Sequence, residues 1–419
     1  MIVIRSGRVL TSVGWRNADV SIRGGVVREI GRGLRAETVI DASGCLVGPG
    51  LIDMHTHLRE PGETWKEDID SASRAAVRGG FTAIVAMPNT SPPADSPKVT
   101  DSVAERGRQV GVVDVVPASA MTVARAGTTP VDIERMYEAG ARLFTDDGDC
   151  VTDSDVLREV MVRTEALPGA FVAQHAEDHA MTTDGHANEG QASEALGVGG
   201  LPSEAESEIV SRDLRLVKET GARYHCQHVS ARATVDLIRR AKAAGLPVTA
   251  EVTPHHLTFD ETALASQDTN FKMYPPLRAS EDRGALLGAV EDGTIDVVAT
   301  DHAPHARDEK AKGFAEAPRG VIGLETAASA VWEALRDETR LFETMSVTPA
   351  RLMGMQKQGR PLTPGAPANI VVFDPDATWV VEEFASRSSN SPYLGRAMHG
   401  RIEATIHAGS VVYRRGEAA

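Results

Sequence analysis

The stretch HTHLREPG, residues 55–62, follows a short, mostly apolar run, Leu51 to Met54, and places His55 and His57 one residue apart with Arg59 just beyond. In extended chain, side chains at i and i+2 leave the same face about 7 Å apart at Cα, so two imidazoles can converge on one small object. A metal ion suits that geometry. A bare HxH also arises in polar loops, so the pair needs partners from elsewhere in the chain.

Such partners recur at the ends of apolar runs. Strand candidates read as GLIDMHTH, FTAIVAMPN, DVVPASA, ARLFTDD, AFVAQHAED, ARYHCQHVS, PVTAEVTPHH and IDVVATDHAPH. Their ends carry His55 and His57, then Asn89, then Asp146 and Asp147, then His175, His228, and finally Asp301, His302 and His305. Helical patterns separate them, several closing on glycine, as at Gly80, Gly140, Gly221 and Gly245. Eight strand-helix units in a row predict a (β/α)8 barrel over residues 51–359, the fold in which residues remote in sequence meet at one strand-end face. A doubly wound open sheet fits less well, because no GxGxxG follows a first strand. Four histidines and two carboxylates would suit one or two borderline cations such as Zn²⁺. A catalytic site of this kind keeps a position for water and lowers its pKa toward neutrality.

Both ends of the chain read differently. Short β-like runs with turns fill residues 1–50 and return in residues 360–419, after GRPLTPGAP, which predicts a small β-sandwich domain built from both termini. The 419 residues are 42% hydrophobic and 25% charged, an ordinary globular composition. Asp and Glu outnumber Lys and Arg 59 to 44, with no basic cluster, which argues against nucleic acid. No stretch approaches the roughly 18 apolar residues of a membrane span, and Arg5 and Arg8 interrupt the N-terminal run, so a cytoplasmic protein is expected. Cys45, Cys150 and Cys226 stand far apart and predict neither disulfides nor a thiolate zinc site.

With REPG, MPNT, FTDDG, QHAED, EVTPHH and TDHAPH followed by EK, the chain resembles the amidohydrolase superfamily, and within it the class I dihydroorotases. The resemblance spans essentially the whole chain. It implies that His55, His57 and Asp301 hold one zinc, that His175 and His228 hold a second, and that Asp147, the aspartate directly before Gly148, bridges them. It implies reversible cyclisation of N-carbamoyl-L-aspartate to L-dihydroorotate in pyrimidine biosynthesis: metal-activated water attacks the ring amide and Asp301 shuttles the proton. Arg59, Asn89 and His305 would bind the substrate's carboxylate. Hydantoinase-like relatives bridge their metals with a modified lysine, and no lysine ends the fourth strand here.

Two positions depart from the family pattern. Tyr274 stands where Asn normally precedes the two prolines, and Arg319 precedes Gly320 where an aromatic residue is common; Tyr274 and Gly320 would both line the substrate pocket. His255 and His256 have no chemical role in this reading and are expected to pack, and His179, His186, His225, His399 and His407 are read as structural or surface residues. The small-residue stretch after His175, through residue 202, is either a mobile cover or a static excursion. The rivals are another cyclic-amide hydrolase, allantoinase or hydantoinase, and an inactive partner of aspartate carbamoyltransferase. The resemblance leaves self-association, and association of an active enzyme with that transferase, open.

Overall fold

The computed structural model describes residues 1–417 and is of the α/β class. Five strands open the chain: β1 (Ile2–Thr11), β2 (Gly14–Arg23), β3 (Val26–Gly31), β4 (Thr38–Asp41) and β5 (Leu46–Pro49). Three close it: β16 (Ile370–Val380), β17 (Ala397–His407) and β18 (Ser410–Arg414). All eight hydrogen-bond as one sheet in the order β18-β17-β16-β5-β1-β2-β3, with β4 beside β1. The join between the two ends of the chain is the antiparallel pair β16–β5, in register from Ile370 opposite Pro49 to Phe373 opposite Leu46. Ile4, Val9, Val20, Val47, Ile370 and Val372 form this sheet's own apolar core.

Between them run β6 (Leu51–Thr56), β7 (Phe81–Ala86), β8 (Asp114–Pro117), β9 (Leu143–Phe144), β10 (Phe171–Gln174), β11 (Gly185–Asn188), β12 (Gly199–Leu201), β13 (Tyr224–Cys226), β14 (Val248–Val252) and β15 (Val297–Val298). Strands β6-β7-β8 pair in parallel, and so do β9-β10-β13-β14-β15. Single bridges join these two sheets at both ends, Ser119 to Phe144 and Thr56 to His302, so neighbour-to-neighbour pairing passes through eight strands and returns to the first. Every residue of β6, β7 and β10 is buried, as expected when helices cover one face and a core fills the other. Met54, Val85, Leu143, Phe171, Ala173 and Val297, drawn from five of the strands, pack together with Ala299 as one cluster.

Helices 69–78, 97–110, 133–138, 154–165, 204–220, 232–243, 280–292 and 327–335 follow these strands. The first shows why its boundaries fall where they do. Asp68 caps the backbone N–H of Ser71, whose side chain caps back. The chain then leaves the helix through Gly79, where a Cβ would lie 2.1 Å from the Leu324 carbonyl oxygen.

The stretch between β10 and β13 is a folded excursion. β11 and β12 pair in parallel around helix 191–196. Arg278 Nη1 fastens it by donating to Asn188 Oδ1 at 3.0 Å and to the Leu201 carbonyl.

Candidate active site

Six of the residues expected at the strand ends meet, His55, His57, Asp147, His175, His228 and Asp301, whereas His302 turns to Glu67. His55 is the penultimate residue of β6, and the His57 backbone N–H donates to the His302 carbonyl at 2.8 Å, which pins that strand's end to the segment after β15. One Asp147 carboxylate faces both histidine pairs: Oδ1 lies 3.2 Å from His55 Nε2 and 3.5 Å from His228 Nε2, and Oδ2 lies 3.5 Å from His57 Nε2. His175 Nδ1 sits 2.9 Å from His228 Nε2. Two groups result, His55–His57–Asp147 and Asp147–His175–His228, each with its ligand atoms within 4.8 Å of one another and all members buried. Asp301 Oδ1 closes the first group's side, 2.9 Å from His57 Nε2 and 3.5 Å from His55 Nε2.

Its neighbour settles which aspartate faces the cluster. Asp146 is turned away, its carboxylate accepting from the backbone N–H groups of Met121 and Thr122 at 2.8 and 3.0 Å and from the Thr122 hydroxyl.

The cluster fits a cation on two counts. His55 Nε2 and Asp147 Oδ1 are buried without a hydrogen-bond partner; their 3.2 Å approach is not aligned as a hydrogen bond. Unpartnered buried polar atoms cost about 1–3 kcal/mol each, so a pair facing one another calls for something to bind. The electrostatics point the same way. Burial works against a charged His55, yet Asp147, Glu251 and Asp301 outweigh it and hold its pKa well above the ordinary value. Burial likewise opposes ionisation of Asp301, but His55 and His57 bring its pKa down to about 2. The carboxylates of this site demand positive charge.

Several groups that hold the imidazoles were not singled out in the sequence. Glu251, inside β14, meets His55 Nδ1 at 2.6 Å and His225 Nε2 at 3.1 Å. A carboxylate accepting the Nδ1 proton leaves Nε2 as a bare lone pair aimed at the cluster. Glu177 faces His175 Nε2 at 3.4 Å, again the ring nitrogen turned away from the cluster. For His57 the corresponding acceptor is Asn89 Oδ1, 2.8 Å from Nδ1, which leaves the Asn89 amide N–H groups free. The signals were present, a lone glutamate in the apolar run VTAEV and a glutamate at i+2 from His175, but carboxylates are common enough that neither stood out.

Arg59 is buried and its Nε donates to the Pro304 carbonyl at 3.1 Å. It does not pair with the adjacent acids, since Glu60 turns to Arg106 and Glu63 to Lys66. Arg59, His228 and Asp301 all have positive φ, 59°, 29° and 47°, a conformation that non-glycine residues adopt at a cost and that clusters at functional sites.

His305 Nε2 lies 2.7 Å from the Arg319 carbonyl, so this nitrogen carries the proton and Nδ1, buried and unpartnered, is an acceptor. Burial, then Arg59, lowers its pKa to about 2, which keeps the ring neutral. For His305 to donate to a carboxylate, as expected from the sequence, the ring must turn.

At Gly320, φ is 118° and a Cβ would sit 2.7 Å from that of Ala303. Its N–H and carbonyl are already taken, by the Lys272 carbonyl and by Lys310 and Asn390. The Tyr274 ring lies against that of His175, centroids 4.6 Å apart and planes tilted by 45°.

His256 bonds Thr253 and the Pro275 and Pro276 carbonyls, and so fixes the chain just past Tyr274. His255 is buried with Nε2 unpartnered.

The sequence model of the dihydro-orotase-like family matches residues 44–234. The chain is 45% identical over 414 residues to the dihydroorotase of Mycobacterium bovis, covering 95% of each, and 42% identical over 427 residues to that of Pelobacter propionicus, covering 99% of this chain and 100% of the relative. Among solved structures, L-hydantoinase (dihydropyrimidinase) from Arthrobacter aurescens superposes with a TM-score of 0.87 at 26% identity, covering 100% of this chain and 97% of that one. Dihydropyrimidinase from Brevibacillus agri gives 0.85 at 26% identity, covering 99% and 95%.

Proposed function

The chain belongs to the dihydroorotase family, and from that premise we propose that it interconverts N-carbamoyl-L-aspartate and L-dihydroorotate in pyrimidine biosynthesis, on a (β/α)8 barrel of residues 51–359. Residues 1–50 and 360–419 make up the accompanying β-sandwich domain in this reading, residues 418–419 lying outside the described ones. The observation that carries the reading is the single Asp147 carboxylate shared by two histidine pairs, with Asp301 beside it.

In this reading His55, His57 and Asp301 would hold one Zn²⁺, His175 and His228 would hold a second, and Asp147 would serve both. Bound there, the cations would lower the pKa of water and polarise the amide carbonyl. Asp301 takes the proton of the attacking water and passes it to the departing amide nitrogen; in the biosynthetic direction it takes the proton from the attacking amide nitrogen and returns it to the departing hydroxide. Arg59, whose Nη groups remain free once Nε is tied to Pro304, receives the substrate carboxylate in a two-pronged contact. The Asn89 amide adds a donor. Glu251, Glu177 and the Asn89 oxygen keep His55, His175 and His57 in the tautomer a ligand needs.

Work in the cytoplasm fits three buried, unpaired cysteines and the absence of a helix, among the described residues, long and apolar enough to cross a membrane. Self-association or association with aspartate carbamoyltransferase is testable by measuring molecular mass alone and in mixture.

Ring opening of dihydroorotate by the zinc-loaded protein, with Asp301→Ala and metal analysis alongside, tests the proposal. The wild type should turn over and the variant should lose about 10²–10⁴-fold in kcat. Preferential turnover of hydantoins or allantoin would favour the rival cyclic-amide hydrolases, and inactivity toward all three would leave the non-catalytic partner.

A further inference from the structure

The two departures from the family pattern touch each other. Arg319 lays its guanidinium over the Tyr274 ring, 4.2 Å from the centroid, and Tyr274 in turn lies against His175 with the ring planes tilted by 45°, so three side chains pack in a row on one side of the cluster. Arg319 Nη2 also donates to the Gly185 carbonyl in the excursion between β10 and β13, and the Arg319 carbonyl accepts from His305. The row thereby joins the segment before the paired prolines, the loop ending at Gly320 and the excursion.

The loop that carries Arg319 is held in place. Lys272 Nζ donates to the carbonyls of Phe314, Ala315 and Ala317 at 2.6, 3.0 and 2.7 Å. Lys310 Nζ donates to those of Pro318 and Gly320 at 3.0 and 3.2 Å. These contacts fall on both sides of Arg319, so its guanidinium is presented from a fixed backbone. A planar cation on an aromatic face attracts more strongly as water is excluded, and both residues here are half-buried.

We propose that Tyr274 and Arg319 act as one specificity-determining unit, a cation–π plate that covers the His175 side of the cluster and limits the bulk a cyclic amide can carry on that side. The proposal rests on the dihydroorotase reading for its small, carboxylate-bearing substrate. The plate roofs one side while Arg59 anchors the carboxylate, so cyclic amides with a large substituent are excluded.

The test compares kcat/KM for dihydroorotate and for an aryl-substituted hydantoin in the zinc-loaded wild type, Tyr274→Ala, Arg319→Ala, the double variant, Arg319→Lys and Tyr274→Phe. Each alanine variant should lose about tenfold on dihydroorotate, mainly through KM, and shift the substrate ratio toward the aryl hydantoin by about a hundredfold. The double variant should fall no further than the worse single one. Arg319→Lys should not restore the ratio, because an ammonium cannot stack as a plane, whereas Tyr274→Phe should keep it. An unchanged ratio, additive losses, or loss of bound metal in the alanine variants would overturn the proposal. A zinc-loaded wild type inert toward dihydroorotate would instead refute the functional reading.

Discussion

Replacing Glu251 probes the cluster without removing any residue assigned to the metal or the substrate. Its carboxylate lies 2.6 Å from His55 Nδ1 and 3.1 Å from His225 Nε2 and also accepts from the His228 backbone N–H at 3.3 Å. Burial favours the neutral acid, but His55 and His225 hold it ionised, well below the usual carboxylate range. Glu251→Gln keeps the shape and one acceptor for His55 and removes the charge. Charge-assisted hydrogen bonds are roughly twice as strong as neutral ones, so the loss is about 1–1.5 kcal/mol and zinc affinity should fall about tenfold. Glu251→Ala removes the acceptor altogether, frees His55 to rotate or change tautomer, and should cost about a hundredfold. Competition with a chromophoric chelator, started from metal-free protein, measures both. Melting curves of the metal-free variants separate weakened binding from weakened folding. Wild-type zinc affinity in both variants would refute the argument that this carboxylate sets the His55 tautomer.

Other consequences are as direct. Arg59→Lys should raise KM for dihydroorotate tenfold or more, with a smaller change in kcat, because a point charge cannot make two parallel hydrogen bonds; steady-state kinetics decide. Gly79→Ala should destabilise the protein by about 1–3 kcal/mol in denaturant titration, since its Cβ would meet the Leu324 carbonyl at 2.1 Å and backbone cannot yield as a side chain can. Burial lifts the pKa of Glu325 from 4.5 to about 7, against the opposing pull of the Ala385 N–H and Arg78. The folded state then binds the proton more tightly than the unfolded chain, so Glu325 stabilises below about pH 4.5 and that contribution is lost as pH rises through 7. Relative to Glu325→Gln, wild-type stability should therefore drop between pH 4.5 and 7.5 by an amount on the order of 3 kcal/mol, read from unfolding curves at each pH.

The order of elements was legible because each buried parallel strand is a short apolar run ending in a polar residue, and several of the helices between them end on a glycine that can turn the chain. All eight strand candidates and the eight helices between and after them appear in the structure. The spacing of His55 and His57 raised the question of a metal. What spacing could not show is which ring nitrogen faces inward, because that depends on Glu251, Glu177 and Asn89, each placed by a different strand or the segment after it. The excursion after His175 was also opaque. Its glycines and small residues carry no period, and its order comes from tertiary ties to Arg278 and Arg319. Tyr274 and Arg319 stood out separately as departures from the family pattern, but their contact lies in three dimensions only.

If the buried cluster that shares Asp147 between two histidine pairs binds two cations and uses them on dihydroorotate, activity must follow metal loading. The most direct measurement is the rate of dihydroorotate ring opening as zinc is added stepwise to metal-free protein. Activity should climb to two equivalents per chain and then level off. Activity that ignores added zinc, or none at any loading, would contradict it.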